Sequence, residues 1–361
     1  MMQWRRIAPI VAAVIICPSV TWADPEIGWD NLEQQVKELQ QQGRVDVAIG
    51  IAEESLRAAE KNFGTSHANV DRFVARLAPL YQAKGRFADA ETAYHRSLAF
   101  RQQQLAADDP RLAETLNGLA VTEESLGKLT EAEALAKRAL ELRERTLGAN
   151  DLATAESLET LARLLIVQRR FAEAKPLAKR VLEIREQALG SDHPDVASAL
   201  DVQLNAALGS LGGQLAALEP MAKRALAIRQ RALGVDDPAV ISSMNTLAMV
   251  YTARGRLAEA EPLCKNKLGL EEQRYGSNDP RLIPSLVTLS ALYTAQGKYV
   301  EAEPLHQRLL ALREHAFGPT HPDVASSLEQ YANCLRHLNR LEQANALDDR
   351  AKQIRFHQLT Q

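Results

Sequence analysis

The chain has 361 residues, 46% of them apolar, 5% aromatic and 25% charged, with a formal net charge of −3. That balance excludes the basic excess or stripe with which nucleic-acid binders meet a phosphate backbone. The charged content is too modest for a disordered chain, and a core poor in rings but rich in Ala and Leu favours stacked helices over a β-sandwich.

The N-terminus differs in character from the rest. Met1 to Arg6 carries two positive charges, Ile7 to Ile16 is apolar apart from Pro9, and Thr21-Trp22-Ala23 offers a small-x-small cleavage site. This is the three-part pattern of a secretory signal peptide, so residues 1–23 are expected to be removed and the chain to be periplasmic or secreted. The apolar run is too short to span a bilayer comfortably, and no stable membrane insertion is expected after cleavage. The alternative is an uncleaved N-terminal anchor. Residues 24–361 retain 41 basic and 46 acidic side chains, a net of −5.

From there the chain repeats itself. A turn residue, a basic residue, an apolar residue and an acid-Ala pair recur. Gly85-Arg86-Phe87-Ala88-Asp89-Ala90 and Gly127-Lys128-Leu129-Thr130-Glu131-Ala132 are two copies. Arg169-Arg170-Phe171, Gly255-Arg256-Leu257 and Gly297-Lys298-Tyr299 open three more, and weaker copies begin at Gly43, Gly213 and Asn339. The starts are 43, 85, 127, 169, 213, 255, 297 and 339, so every step is 42 residues except one of 44. The longer step falls at Leu208-Gly209-Ser210-Leu211-Gly212-Gly213, read as a loop insertion, with a split of the array into two halves as the alternative.

A second marker keeps the same period. Phe63-Gly64, Leu147-Gly148, Leu189-Gly190, Leu233-Gly234, Tyr275-Gly276 and Phe317-Gly318 each close a helical pattern, because Gly adopts the left-handed conformation that caps a helix. His67, Asp109, Asp151, His193, Asp237, Asp279 and His321 follow, Pro succeeding five of these seven, as N-caps with Pro at the first helical position. Capping also accounts for His67, His193 and His321 without a metal, since whole repeats separate them. Apolar spacing between the markers is helical, as in Val240, Met244, Leu247, Ala248 and Tyr251. Small residues such as Ala120 and Ala132 sit where paired helices must approach. Cys17 leaves with the leader, while Cys264 and Cys334 fall two repeats apart, beyond the roughly 7 Å that a disulfide spans, and are expected to be free, buried thiols.

Leu, Leu-Ala and Tyr in the first helix, then Ala, an apolar residue and Ala in the second, resemble the tetratricopeptide repeat. The longer unit, with Glu261-Pro262-Leu263 and the run from Arg224 to Arg229 leading into Leu-Gly-x-x-His-Pro, is similar to the 42-residue version of kinesin light chain and nephrocystin-like proteins. The resemblance covers about Glu26 to the end. It implies an all-α solenoid, a right-handed superhelix of about eight helix-turn-helix repeats, with polar end units as caps.

The resemblance further implies that the first helix of each repeat lines a concave groove for a protein segment. Carried over by phase, the groove candidates are Glu114, Asn117, Glu124, Glu156, Glu159, Arg163, Asp201, Asn205, Asn245 and Asn333. Glu114, Glu124, Glu156, Glu159 and Asp201 fall along one wall, which suggests a basic or amide-rich partner segment; the alternative is a set of solvated helix residues paired along their own helices. No signature of a catalytic, cofactor or metal site is present in the sequence. The function expected is an exported scaffold or adaptor that binds a protein or peptide. The alternatives are a glycan or small-ligand binder of the envelope, for which aromatic walls are few, and an enzyme of unrecognised type.

Overall fold

The computed structural model describes residues 25–209 and 215–359. The expected leader, 1–23, and the repeat turn near 213 lie outside the described residues. The described residues are 84% helical and include no strand.

The helices alternate as first and second members of antiparallel pairs. The first members are α1 (Pro25–Gln41), α3 (Ala68–Ala83), α5 (Pro110–Ser125), α7 (Leu152–Val167), α9 (Pro194–Leu208), α11 (Pro238–Ala253), α13 (Ile283–Ala295) and α15 (Pro322–His337). The second members are α2 (Val45–Phe63), α4 (Phe87–Gln104), α6 (Leu129–Thr146), α8 (Phe171–Leu189), α10 (Leu215–Leu233), α12 (Leu257–Tyr275), α14 (Tyr299–Phe317) and α16 (Leu341–Leu359). A short 3-10 turn, Pro280–Leu282, leads into α13. Second helices run 18 or 19 residues where the internal first helices run 13 to 16, which is where the residues beyond a shorter repeat are spent. Pro176, Pro220, Pro262 and Pro304 each stand sixth in their second helices, just past the four free N-terminal donors, so each gives up one backbone hydrogen bond of its helix.

The chain divides into two compact units, 1–184 and 185–361. The boundary falls inside α8 and not at the longer repeat step near 209–213.

Among the described residues, helix pairs are closed by the turn the repeat carries. Gly85 at φ 70 accepts the left-handed geometry, its N–H donating to Gln82 O at 2.9 Å while Arg86 N–H reaches Tyr81 O at 2.9 Å. Two repeats have no glycine there, yet Arg169 (φ 61) and Asn339 (φ 60) adopt the same conformation. Beyond the turn, Ala90, Ala132, Ala174, Ala260 and Ala302 are wholly buried, as close helix contact requires.

Every predicted first-helix cap is made. The side chains of His67, Asp109, Asp151, His193, Asp237, Asp279 and His321 each accept from the backbone N–H two residues on. The histidines do so through Nδ1 at 3.2 Å. Cys264 and Cys334 are free and buried.

Candidate functional site

In the first unit, helices α1, α3, α5 and α7 pack side by side in succession, each also paired with a second helix. A row of first helices therefore forms one wall. It is fastened by arginines that the second helices send across.

Arg101 of α4 ion-pairs with Asp71 of α3 at 2.9 Å and donates to Arg111 O and Thr115 Oγ1 of α5, both at 2.8 Å. One repeat on, Arg143 of α6 donates to Ala153 O at 2.6 Å and Ser157 Oγ at 2.9 Å in α7. In the second unit, Arg229 of α10 binds Asp201 and Ser198 of α9 and Ser243 of α11. Arg313 of α14 donates to Asp323 O at 3.0 Å and Ser327 Oγ at 2.7 Å in α15. A buried guanidinium tolerates this environment because several oxygens share its donors.

The repeat breaks this rule at Ala59 of α2 and again in the second unit. Glu271 of α12 holds the arginine's place and accepts from Ser285 Oγ. Lys267, one turn earlier, ion-pairs with it at 3.8 Å and donates to Asn245 Oδ1 at 3.1 Å.

These arginines change the meaning of the acidic wall. Glu156 is 58% exposed but sits 2.9 Å from Arg143, and Glu114, 71% exposed, lies 3.9 Å from Arg101. Glu124 of α5 is ion-paired with Arg163 of α7 at 2.7 Å. Asp201 is turned into the packing beside Arg229, and burial pushes its carboxyl above the usual carboxylate range despite that guanidinium. Glu159 is half-buried. The wall is thus acidic in sequence but largely compensated in space.

The amide candidates divide in the same way. Asn117 is buried, and its Oδ1 has no hydrogen-bond partner. Asn245 is half-buried and engaged by Lys267, while Asn205 and Asn333 are exposed. Each of these ten residues lies on a first helix. Glu114, Asn117, Glu124, Glu156, Glu159 and Arg163 belong to the first unit, the other four to the second. The arginines themselves were not among the sequence candidates. Their signal is the recurrence of Arg at 101, 143, 185, 229 and 313, in phase with the repeat turns.

Models of the tetratricopeptide repeat match residues 71–145, 112–166, 154–195, 206–265 and 281–355. The chain belongs to the tetratricopeptide repeat family. Its repeat is of the 42-residue kinesin light chain type. No curated protein matches this tetratricopeptide repeat chain. Among solved structures it is similar to the apo form of the quorum sensor NprR from B. thuringiensis, at 14% identity and a TM-score of 0.66, covering 97% of this chain and 92% of that one. It is also similar to a Rap protein complexed with Competence and Sporulation Factor, at 13% identity and a TM-score of 0.59, covering 91% and 98%. BtubC (BKLC) from P. vanneervenii shares 24% identity at a TM-score of 0.53, covering 64% and 92%. At these identities the likeness is one of fold.

Among the described residues, no helix is long and apolar enough to cross a membrane.

Proposed function

We propose that this tetratricopeptide repeat protein is an exported scaffold whose first-helix rows hold an extended segment of a partner protein or peptide. The observation that carries the reading is the row formed by α1, α3, α5 and α7, braced from behind by Arg101 and Arg143. Bracing fixes the row before any partner arrives, so binding need not order it, and a preorganised surface loses less entropy on association. A similar fold carrying Competence and Sporulation Factor in a Rap protein supports the reading.

The partner segment is basic or amide-bearing. Glu114 and Glu156 are well exposed although each lies beside an arginine, so water and a partner can reach their carboxylates. Asn205 and Asn333 offer exposed amides in the second unit. A basic side chain entering beside Glu156 would compete with a half-satisfied carboxylate in partly excluded water, which favours orientation more than raw affinity.

Export rests on the charged, apolar and small-residue order of residues 1–23. N-terminal sequencing of the chain recovered from the envelope fraction tests it; a chain that begins after Ala23 is expected, and an intact N-terminus in the cytosolic fraction contradicts it.

Capture from that envelope fraction tests the binding role. The wild-type chain is expected to retain a specific partner that Glu114→Lys/Glu156→Lys loses, with the helical content of the variant unchanged. Equal retention by both chains contradicts the basic or amide-bearing segment, and absence of any protein retained contradicts the scaffold.

A further inference from the structure

Three repeat junctions carry the same box of four side chains at fixed register, and at a fourth junction that register holds a different set. The regular form joins Glu261, Lys265, Tyr293 and Lys298. Glu261 lies 2.6 Å from both ammonium groups, which stand 5.5 and 5.8 Å from the Tyr293 ring centre. Glu219, Lys223, Tyr251 and Arg256 repeat it. Glu133, Lys137, Leu165 and Arg170 do so with an aliphatic core residue. Each of these three boxes holds one acid and two cations, whereas Ile49, Glu53, Tyr81 and Arg86, and Glu303, Gln307, Leu335 and Arg340, fill the same register with one of each.

At the junction of α4, α5 and α6 the same four places are Glu91, His95, Glu123 and Lys128. The lysine has become a histidine and the buried Tyr or Leu a glutamate. With a neutral imidazole the box changes from a net of +1 to −1. Glu123 is only 3% exposed, in a place its counterparts fill with Tyr81, Leu165, Tyr251, Tyr293 and Leu335. Its Oε2 makes no hydrogen bond, and the Lys128 ammonium stands 3.2 Å away. Burying a carboxylate in an aliphatic slot is costly unless a cation compensates it fully.

The three donors converge. His95 Nε2 lies 3.7 Å from Glu123 Oε1 and 4.0 Å from Glu91 Oε1, and ligand atoms of all three residues fall within 4.8 Å of one another. Around a tetrahedral ion with bonds of roughly 2.0 to 2.1 Å, donors sit about 3.3 Å apart, so a contraction of at most about 1.5 Å would close the set. Glu91 and His95 are one helical turn apart on α4, and Glu123 comes from the end of α5. We propose that Glu91, His95 and Glu123 form a binding site for a divalent zinc-type cation, with Lys128 as the counter-ion that leaves when the metal enters.

Lys128 makes the site stable when empty. Its ammonium contacts Glu91 Oε1 at 2.5 Å and Glu123 Oε2 at 3.2 Å. It is 44% exposed on a flexible stem, so it can swing into solvent once the metal neutralises both carboxylates. Imidazole and carboxylate suit zinc better than calcium or magnesium, and the exposed side of His95 leaves room for a water ligand. Metal would tie α4 to α5 in the first unit, at a place remote in role from partner recognition, so the proposal stands apart from the scaffold reading.

Calorimetric titration of the untagged, chelator-stripped chain with Zn²⁺ tests it. One saturable site per chain is expected. His95→Lys, which restores the residue of the three regular boxes, should weaken it by about tenfold or more, and Glu123→Tyr, which restores the aromatic of two of them, should do the same. Lys128→Met removes the competing ammonium and should tighten binding. Absence of a saturable site, or equal affinity in the wild type and His95→Lys, overturns the proposal. Binding weakened by Lys128→Met overturns the role given to the counter-ion.

Discussion

Arg143 Nη1 donates to Ser157 Oγ at 2.9 Å, across from one repeat to the next and 14 residues along the chain. The same interval returns in Arg101–Thr115, Arg229–Ser243 and Arg313–Ser327. It joins a second helix to the following first helix, and is therefore a clamp between repeats, not within one. Repeat arrays are stabilised by such nearest-neighbour interfaces.

Arg143→Ala should remove the donor from Ala153 O and Ser157 Oγ and lower stability by about 2 kcal/mol, the scale of hydrogen bonds made by a charged group. Arg143→Lys should recover only part of the loss, because an ammonium lacks the planar fork. Urea unfolding followed by circular dichroism measures both.

Arg169 stands where most repeats have a left-handed glycine. Its Cβ carries a penalty of roughly 1 to 2 kcal/mol in that geometry. Arg169→Gly should therefore raise stability by about 1 kcal/mol, after the greater freedom of Gly in the unfolded chain is offset. Asn339→Gly should change little, since Asn tolerates this conformation better. The difference between the two midpoints is the quantity to compare.

Gly118 is internal to α5, where Ala would gain about 1 kcal/mol in helix propensity. An added Cβ, however, would stand 2.5 Å from the ring of Tyr94, whose hydroxyl donates to Gln82 Oε1 at 2.9 Å. Overpacking of that kind costs roughly 1 to 3 kcal/mol. Gly118→Ala should destabilise the wild type and stabilise a Tyr94→Leu background. A double-mutant cycle on thermal midpoints reads the change of sign.

Carboxylates held low by cations set the acid limit, Glu33, Glu133 and Glu261 among them. Burial alone would raise Glu33, but hydrogen bonds from Arg72 and Arg76 bring it from 4.5 to about 2. Lys137, with Arg170, holds Glu133 at about 2, and Lys265, with Lys298, does the same to Glu261. A carboxylate depressed in the folded state contributes stability that is complete above its unfolded value and is lost as pH falls toward its folded one. The urea midpoint should therefore decline between about pH 4.5 and about 2. Glu133→Gln should lower the neutral plateau and make the decline shallower.

Much of the fold is legible because repetition multiplies weak local signals. Gly85 and Asp109 are ordinary turn and cap residues alone, but their return in phase fixes every helix boundary. The site is less legible. Phase along one helix placed Asp201 and Asn117 on the expected wall, but it could not show that Arg229 arrives from another helix to cover Asp201. Nor could it show that Asn117 is buried by packing. The cluster of Glu91, His95 and Glu123 escaped for the same reason, its ligands coming from two helices with no recognisable metal spacing.

The scaffold account stands or falls on where a partner touches the first unit. A photo-crosslinking residue placed at Glu156, on the row of first helices, can be compared in cells with one at Glu183, exposed on second helix α8. The account predicts a discrete crosslinked protein from position 156 and none from 183. Crosslinks from 183 alone, or equally from both, would contradict it.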